Sequence, residues 1–367
     1  MTRQELTAYI ESILPADREA MDAARRRQAE LAKPPGSLGA LEDMSIRLAG
    51  IRRTPRPRID RCRVTVLAAD NGVVAEGVSC APQSVTVQQA VNMTRHKTGM
   101  SALAAYFGDQ VQVVDVGICV PVSCPQVLDR KVRFSTGDIA AEPAMTEQEA
   151  LRALSVGLDL AHMAKEEGID AVGVGEMGIG NTTTSAAVLA ALTGASVEEV
   201  AGRGGGLTDG GFATKKRVLR QALALHHPDP GDPVAVLAAV GGLDLAAMTG
   251  LFLGCAHEGL AAAVDGYISI VAALCAVRLC PRVRDYLFLS HDSYEIGYRL
   301  AARELGLEPC LLLGMRLGEG SGCPLLFRIL QGACAVLDGM ATFPEAAIAD
   351  EYLAPIRQGD AFTVDKS

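Results

Sequence analysis

The 367-residue chain has no tryptophan, and its aromatic side chains are confined to 7 tyrosines and 8 phenylalanines. So few rings leave no platform on which the bases of a single strand could stack. Positive charge is also in deficit. Lys and Arg number 34 against 43 Asp and Glu, for a net charge of −9, which argues against a broad nucleic-acid-binding face. No apolar run is long enough to cross a bilayer, so no membrane association is expected. The most apolar stretch, Gly266 to Val277, is bounded by Asp265 and Arg278 and reads as a buried helix. The opening residues mix charges throughout and lack the apolar core of a signal peptide. The ten cysteines include no CxxC pair, the closest spacings being Cys119/Cys124 and Cys275/Cys280. They read as reduced thiols of a cytoplasmic protein, with no metal site. His257-Glu258 does not begin an HExxH motif, because residue 261 is alanine, and no GxxxxGK[ST] or G-x-S-x-G sequence occurs.

What is present is an apolar chain, 49% hydrophobic and 21% charged, which excludes disorder. Its length predicts two domains at ~150 residues each. The 38 glycines in 367 residues exceed the usual ~7% share and suggest many close backbone approaches. Residues 1–49 read as two helices interrupted by Lys33-Pro34-Pro35-Gly36-Ser37. Ser37 is the candidate cap of the second, which carries Leu38, Leu41, Ile46 and Leu48. An Arg- and Pro-rich connector spans Arg52 to Arg63. Beyond it, short apolar runs at Arg63–Asp70, Gln110–Val116, Ile169–Val174, Tyr286–Leu289 and Cys310–Leu313 read as five buried strands. Alanine-rich helical stretches at 183–193, 214–225, 246–263 and 267–279 lie between them. The alternation predicts an α/β fold, a doubly wound, Rossmann-like parallel sheet whose ligand sits at the carboxyl ends of the strands.

The glycine-rich, charged loops fall at those ends. Gly173-Val174-Gly175-Glu176-Met177-Gly178 has the GxGxxG spacing of a dinucleotide fold, the basis of an oxidoreductase alternative. It lacks a following strand that ends in an acidic residue. The loop continues instead through Ile179-Gly180-Asn181-Thr182-Thr183-Thr184, whose hydroxyls and amides suit a phosphate. Gly202-Arg203-Gly204-Gly205-Gly206 is a second candidate cradle, with Lys215 and Lys216 nearby as counter-charges. Glu319, set between Gly318 and Gly320 after an apolar run, has the setting of a desolvated general base, and Glu176 has the equivalent position in the other loop.

Taken together, Lys33–Gly39, Ala69-Asp70-Asn71-Gly72-Val73, Pro82-Gln83-Ser84-Val85-Thr86, Gly175–Thr183, Gly202-Arg203-Gly204 and Arg316-Leu317-Gly318-Glu319-Gly320 resemble the nicotinate-nucleotide:dimethylbenzimidazole phosphoribosyltransferases of cobalamin assembly. The resemblance runs in order from about residue 20 to residue 345. It implies transfer of a phosphoribosyl group from nicotinate mononucleotide to a lower-ligand base, giving an α-ribotide and nicotinate. It also implies a homodimer without metal or redox cofactor. A small helical domain would be built from residues 1–60 and 330–367, beside a catalytic domain of 61–329.

The resemblance implies that Glu319, Glu176 and Lys215 are catalytic. It implies that Gly178, Gly180, Asn181, Thr182, Thr183, Arg203, Gly204, Gly205, Ser290 and His291 bind the nucleotide, and that Cys80, Ala81, Pro82, Gln88, Gln89, Met177 and Leu317 receive the base. Two stretches depart from the family pattern. Where relatives read Ser-His-Arg-Ser-Ala-Glu-Pro-Gly-His, this chain has Ser290-His291-Asp292-Ser293-Tyr294-Glu295-Ile296-Gly297-Tyr298. Ala81 stands where some relatives place a hydroxyl residue before Pro82. These changes keep a phenolic or purine acceptor, and a heterodimer with a paralogous subunit, as alternatives.

Overall fold

The computed structural model describes residues 1–357; the end of the expected small domain, 358–367, lies outside them. Six strands form one sheet: β1 (Cys62–Ala69), β2 (Gln110–Gly117), β3 (Val127–Asp129), β4 (Ala171–Met177), β5 (Ala261–Val264) and β6 (Leu287–Leu289). Every pairing is parallel, and the order is β3-β2-β1-β4-β5-β6. β1 and β4 are buried along their whole length, as strands covered on both faces must be. From β1 the sheet grows toward β2 on one side and toward β4 on the other. The winding therefore reverses between β1 and β4, and a crevice opens beyond their carboxyl ends.

Helices Glu147–Glu166 and Leu243–Glu258 pack closely against each other. A side chain at Gly250 would stand 2.0 Å from the Leu154 carbonyl oxygen, so only glycine permits this approach. Helix Tyr267–Leu279 is buried from Tyr267 through Ala276, as its uniformly apolar sequence predicts.

Three sequence expectations need correction. Residues 246–263 are not one helix. The helix ends at Glu258, Gly259 turns the chain at φ +67°, and Ala261–Val264 pairs with Ala171–Val174 as β5. Alanine's helix propensity is outweighed there by burial against β4. Cys310–Leu313 is not a strand. It makes one bridge, Leu311 to His291, while Leu312 and Leu313 are exposed. The chain begins with three helices rather than two, Arg3–Ser12, Arg18–Glu30 and Ala40–Arg52. The third is capped at Gly39, whose φ of +52° suits glycine, and Ser37 lies in the preceding turn.

The chain divides into two compact units, Met1–Pro15 with Ile59–Arg328, and Ala16–Arg58 with the chain from Ile329 onward. The first helix therefore belongs with the sheet rather than with a domain of residues 1–60. Its Arg3 pairs with Glu147 and Asp232 at 2.8 Å each, and Tyr9 stacks on His257. Within the smaller unit, Ala24, Ile46, Ala49 and Leu337 form a core with Met21 against it. Lys33, buried, pairs with Glu42 at 2.7 Å, and the Leu38 amide donates to the same carboxylate. These bonds give the Lys33–Gly39 turn its shape.

Candidate active site

A cavity of about 230 Å³ opens at the carboxyl ends of the central strands, within the larger unit. Its walls come from the end of β4 (Glu176, Met177), the loop and helix start that follow (Gly178–Thr182), Gly204 and Gly205, and Arg316–Glu319. Ser79, Cys80, Ala81, Val85 and Gln89, which follow β1, close another side. Ala81, Val85, Met177, Ile179 and Leu317 make part of this lining apolar, while carboxylates and helix-start groups make the rest polar.

Glu319 is the most constrained residue of the site. It adopts φ +64° between Gly318 at +82° and Gly320 at +89°, so three consecutive residues are left-handed. For a residue with a side chain this costs roughly 1–2 kcal/mol, and surrounding contacts must hold it. The Glu319 amide donates to Glu176 Oε1 at 3.3 Å, and Asp265 accepts from the amides of Gly320 at 3.0 Å and Gly322 at 2.7 Å. Hydrogen bonds contribute ~0.5–1.5 kcal/mol each, so the three together offset the strain. The Glu319 carboxylate itself accepts from the Met100 amide at 3.4 Å, in the first turn of helix Gly99–Phe107. Burial raises its pKa above the ordinary 4.5, while the Met100 amide and the Thr98 hydroxyl act to lower it.

Glu176 has a different environment. Burial, followed by the proximity of Asp244, pushes its carboxyl up to about 8, against opposing bonds from Asn181 and the Glu319 amide. Asn181 bridges the two acids, donating to Glu176 Oε2 and, at 3.3 Å, to Asp244 Oδ2. Burial also lifts Asp244 to about 7. The upward shift at Glu176 favours its protonated form more strongly than the smaller one at Glu319 does. Two carboxyl groups in one cavity are thereby set for different tasks.

Elsewhere in the lining, Gly180 (φ +94°) caps helix Asn181–Thr193, where the Asn181 amide donates to the Gly178 carbonyl at 3.2 Å and the Thr183 amide to the Gly180 carbonyl at 2.9 Å, and the positive end of the helix dipole faces the cavity. Lys215 is fully buried, and its Nζ donates to Thr182 Oγ1 at 2.9 Å. Burial lowers its pKa to about 8, with the Glu295 charge opposing. A helix start, a lysine ammonium and the open backbone at Gly204–Gly205 together suit a phosphate.

Of the residues expected at the site, Glu319, Glu176, Met177, Gly178, Gly180, Asn181, Thr182, Gly204, Gly205, Cys80, Ala81, Gln89 and Leu317 line one cavity. Lys215 and Thr183 are buried and do not line it, Lys215 being bonded to the lining residue Thr182. Ser290 and His291 are buried beneath it. Ser290 Oγ donates to the Asp265 carbonyl and lies 3.0 Å from His291 Nδ1. Arg203 turns away to pair with Asp209 and to donate to the Leu207 carbonyl. Pro82 and Gln88 are exposed and do not line the cavity.

The GxGxxG spacing has a packing explanation instead of a dinucleotide one. Gly173 and Gly175 lie inside β4. A side chain at Gly173 would meet Cys323 at 2.5 Å, and one at Gly175 would meet the Glu319 carbonyl at 2.5 Å. Lining residues to which sequence reasoning assigns no site role include Ser293, Glu295, Tyr267, Ile268 and Arg316. Behind the wall, Asp244 and Asp265 were also missed. Asp265 follows a short apolar run, Ala261–Val264, and precedes a glycine, the same signal that marks the end of β1.

Buried carboxyls and a helix start share this cavity at the carboxyl ends of a doubly wound sheet, the place where α/β folds receive a small ligand. The chain belongs to the phosphoribosyltransferase family DBI_PRT, whose model matches residues 13–348. It is similar to the nicotinate-nucleotide–dimethylbenzimidazole phosphoribosyltransferases of Clostridium perfringens and Geobacter sulfurreducens. The first is 45% identical over 98% of this chain and 99% of the relative, and the second 46% identical over 94% and 98%. Among solved structures, CobT from Thermus thermophilus superposes with a TM-score of 0.87 at 42% identity, covering 90% of this chain and 99% of that one.

Proposed function

We propose that the chain transfers the phosphoribosyl group of nicotinate mononucleotide to 5,6-dimethylbenzimidazole, releasing nicotinate and α-ribazole 5′-phosphate. The observation that carries this reading is Glu319, a carboxyl whose pKa burial raises, in the same cavity as the helix start at Asn181–Thr182 and the Gly204–Gly205 backbone. In this scheme the helix start at Asn181–Thr182, Gly204–Gly205 and Lys215 through Thr182 hold the 5′-phosphate, which fixes the ribose for in-line attack. The acceptor bicycle rests on Ala81, Val85, Met177 and Leu317. As its ring nitrogen attacks the anomeric carbon, Glu319 takes the proton from the ring's N–H. The pair of the breaking glycosidic bond returns to the nicotinate ring nitrogen, which loses its positive charge and leaves from the opposite face. Inversion then turns the β-nucleotide into an α-product. Glu176, whose burial favours the protonated form, accepts from the Glu319 amide and from Asn181 and so steadies both.

Phenolic and purine acceptors are not favoured, since the relatives carry dimethylbenzimidazole in their names. We also infer a cytoplasmic homodimer. None of the ten cysteines is in a disulfide, and exposed Tyr294, Ile296 and Leu312 around one groove offer apolar surface to a second copy. Light scattering would then return twice the 38.4 kDa chain mass, and the single-chain mass would refute the dimer.

The function is tested by supplying nicotinate mononucleotide with dimethylbenzimidazole, adenine and p-cresol together and resolving the products by mass. α-Ribazole phosphate should dominate. A phenolic or purine product, or none, overturns the reading. Glu319→Gln should bind the nucleotide normally and lose about 10²–10⁴-fold in turnover.

A further inference from the structure

Asp265 is fully enclosed, lines no part of the cavity and has no place in the chemistry above. It follows β5 directly, so the sheet fixes where its backbone lies. Both carboxylate oxygens are engaged. Oδ2 accepts from the Gly320 amide at 3.0 Å, and Oδ1 accepts from the Gly322 amide at 2.7 Å. Those are the first and third residues after Glu319. Ser290, at the end of β6, donates its hydroxyl to the Asp265 carbonyl at 3.1 Å, tying the neighbouring strand end to the same point. On the opposite side the turn rests on β4, where Gly175 leaves room for the Glu319 carbonyl.

A left-handed glutamate between two glycines has no local preference for its conformation, because the flanking residues are free to rotate. Contacts outside the turn must select it: Glu176 accepts from the Glu319 amide, and the bidentate grip of Asp265 fixes the two amides on the C-terminal side. Resting on the reading of Glu319 as the general base, we propose that Asp265 is its positioning residue. By holding the Gly320 and Gly322 amides, its carboxylate fixes the Glu319 backbone and aims that side chain into the cavity.

The test uses Asp265→Asn, Glu319→Gln and the double variant in the full-length enzyme. Asparagine keeps the volume but has one acceptor oxygen, so one of the two amides loses its partner. Turnover by Asp265→Asn should fall about 10²-fold, the effect of misplacing a catalytic group by about 1 Å. The KM for nicotinate mononucleotide should stay within about threefold, because the phosphate cradle is untouched. Since Asp265 acts only through Glu319, the double variant should be no more than about threefold slower than Glu319→Gln alone.

Near-normal turnover by Glu319→Gln would overturn the general-base reading itself. A slow Glu319→Gln beside a fast Asp265→Asn, or losses that multiply in the double variant, would overturn only the role of Asp265. Should Asp265→Asn fail to fold, native-state amide exchange in the unaltered protein decides. The Gly320 and Gly322 amides should exchange at least about 100-fold slower than open-loop amides, and open-loop rates there would refute the grip.

Discussion

Gly175→Ala is the substitution that tests most directly how the base is seated. Gly175 lies in β4 opposite Val66 of β1. A Cβ at that position would stand 2.5 Å from the Glu319 carbonyl oxygen, 2.9 Å from its carbonyl carbon and 3.0 Å from the Gly320 Cα. All three are backbone atoms, so no side-chain rotation relieves the contact. Optimal carbon contacts lie at ~3.5–4.0 Å, and β4 is held by β1 on one side and β5 on the other. The 318–320 turn must therefore recede by about 1 Å. Overpacking of this kind costs ~1–3 kcal/mol of stability. A 1 Å retreat of the base costs about 10²-fold in turnover. The assay pairs urea denaturation with initial rates at saturating substrates. Gly332→Ala serves as the control, because the added Cβ meets nothing within 4 Å inside helix Cys323–Gly339. That substitution should stabilise by ~0.5–1 kcal/mol through helix propensity alone. Parental turnover and an unchanged midpoint for Gly175→Ala would refute the wedge.

Further outcomes follow from the same geometry. Burial raises the Glu319 pKa, so its proton returns earlier than usual on acidification. The acid limb of kcat should have its midpoint above 4.5, and a midpoint at or below that value would contradict the environment described. Lys215 has its pKa lowered to about 8, so it loses charge as pH rises through that value. Calorimetry should find nucleotide affinity falling in the same range, and Lys215→Met should lack this alkaline weakening. Glu176, raised to about 8, contributes stability that is complete below its unfolded value near 4.5 and is lost as pH rises toward 8. Denaturation at pH 5 and pH 8 should differ less in Glu176→Gln than in the parent, and an equal difference would count against a buried, protonated Glu176. Thr146→Ala removes the capping box of helix Glu147–Glu166 and should cost about 0.5–2 kcal/mol with kcat unchanged.

The sequence made the cavity legible because its loops announce themselves where apolar strands stop. Asp70-Asn71-Gly72 after β1 and Glu176-Met177-Gly178 at the end of β4 combine polar side chains with glycine where each apolar strand stops, and their polar groups stay buried at the sheet's edge. The burial of Lys215 was also readable, since it shares the i, i+3, i+4, i+7 stripe of its helix with Val218, Leu219 and Ala222. The last strands failed for opposite reasons. β5 is four small residues, three of them alanine, whose intrinsic preference is helical and whose strand identity comes wholly from β4 beside it. Cys310–Leu313 has the composition of a buried strand but makes only one bridge, so its leucines remain in solvent.

The misreading of β5 had a direct consequence for the site. With 246–263 taken as a helix, Asp265 is only the polar edge of an apolar run. With β5 in place, it stands at the end of a central strand, pointing two oxygens at the turn that carries Glu319. A candidate base can be recognised from its own neighbours in sequence, as the proposed base Glu319 is by its flanking glycines. The residue that holds it comes from another strand 54 positions earlier in the chain. Only the register of the sheet brings the two together, and that register is a tertiary property.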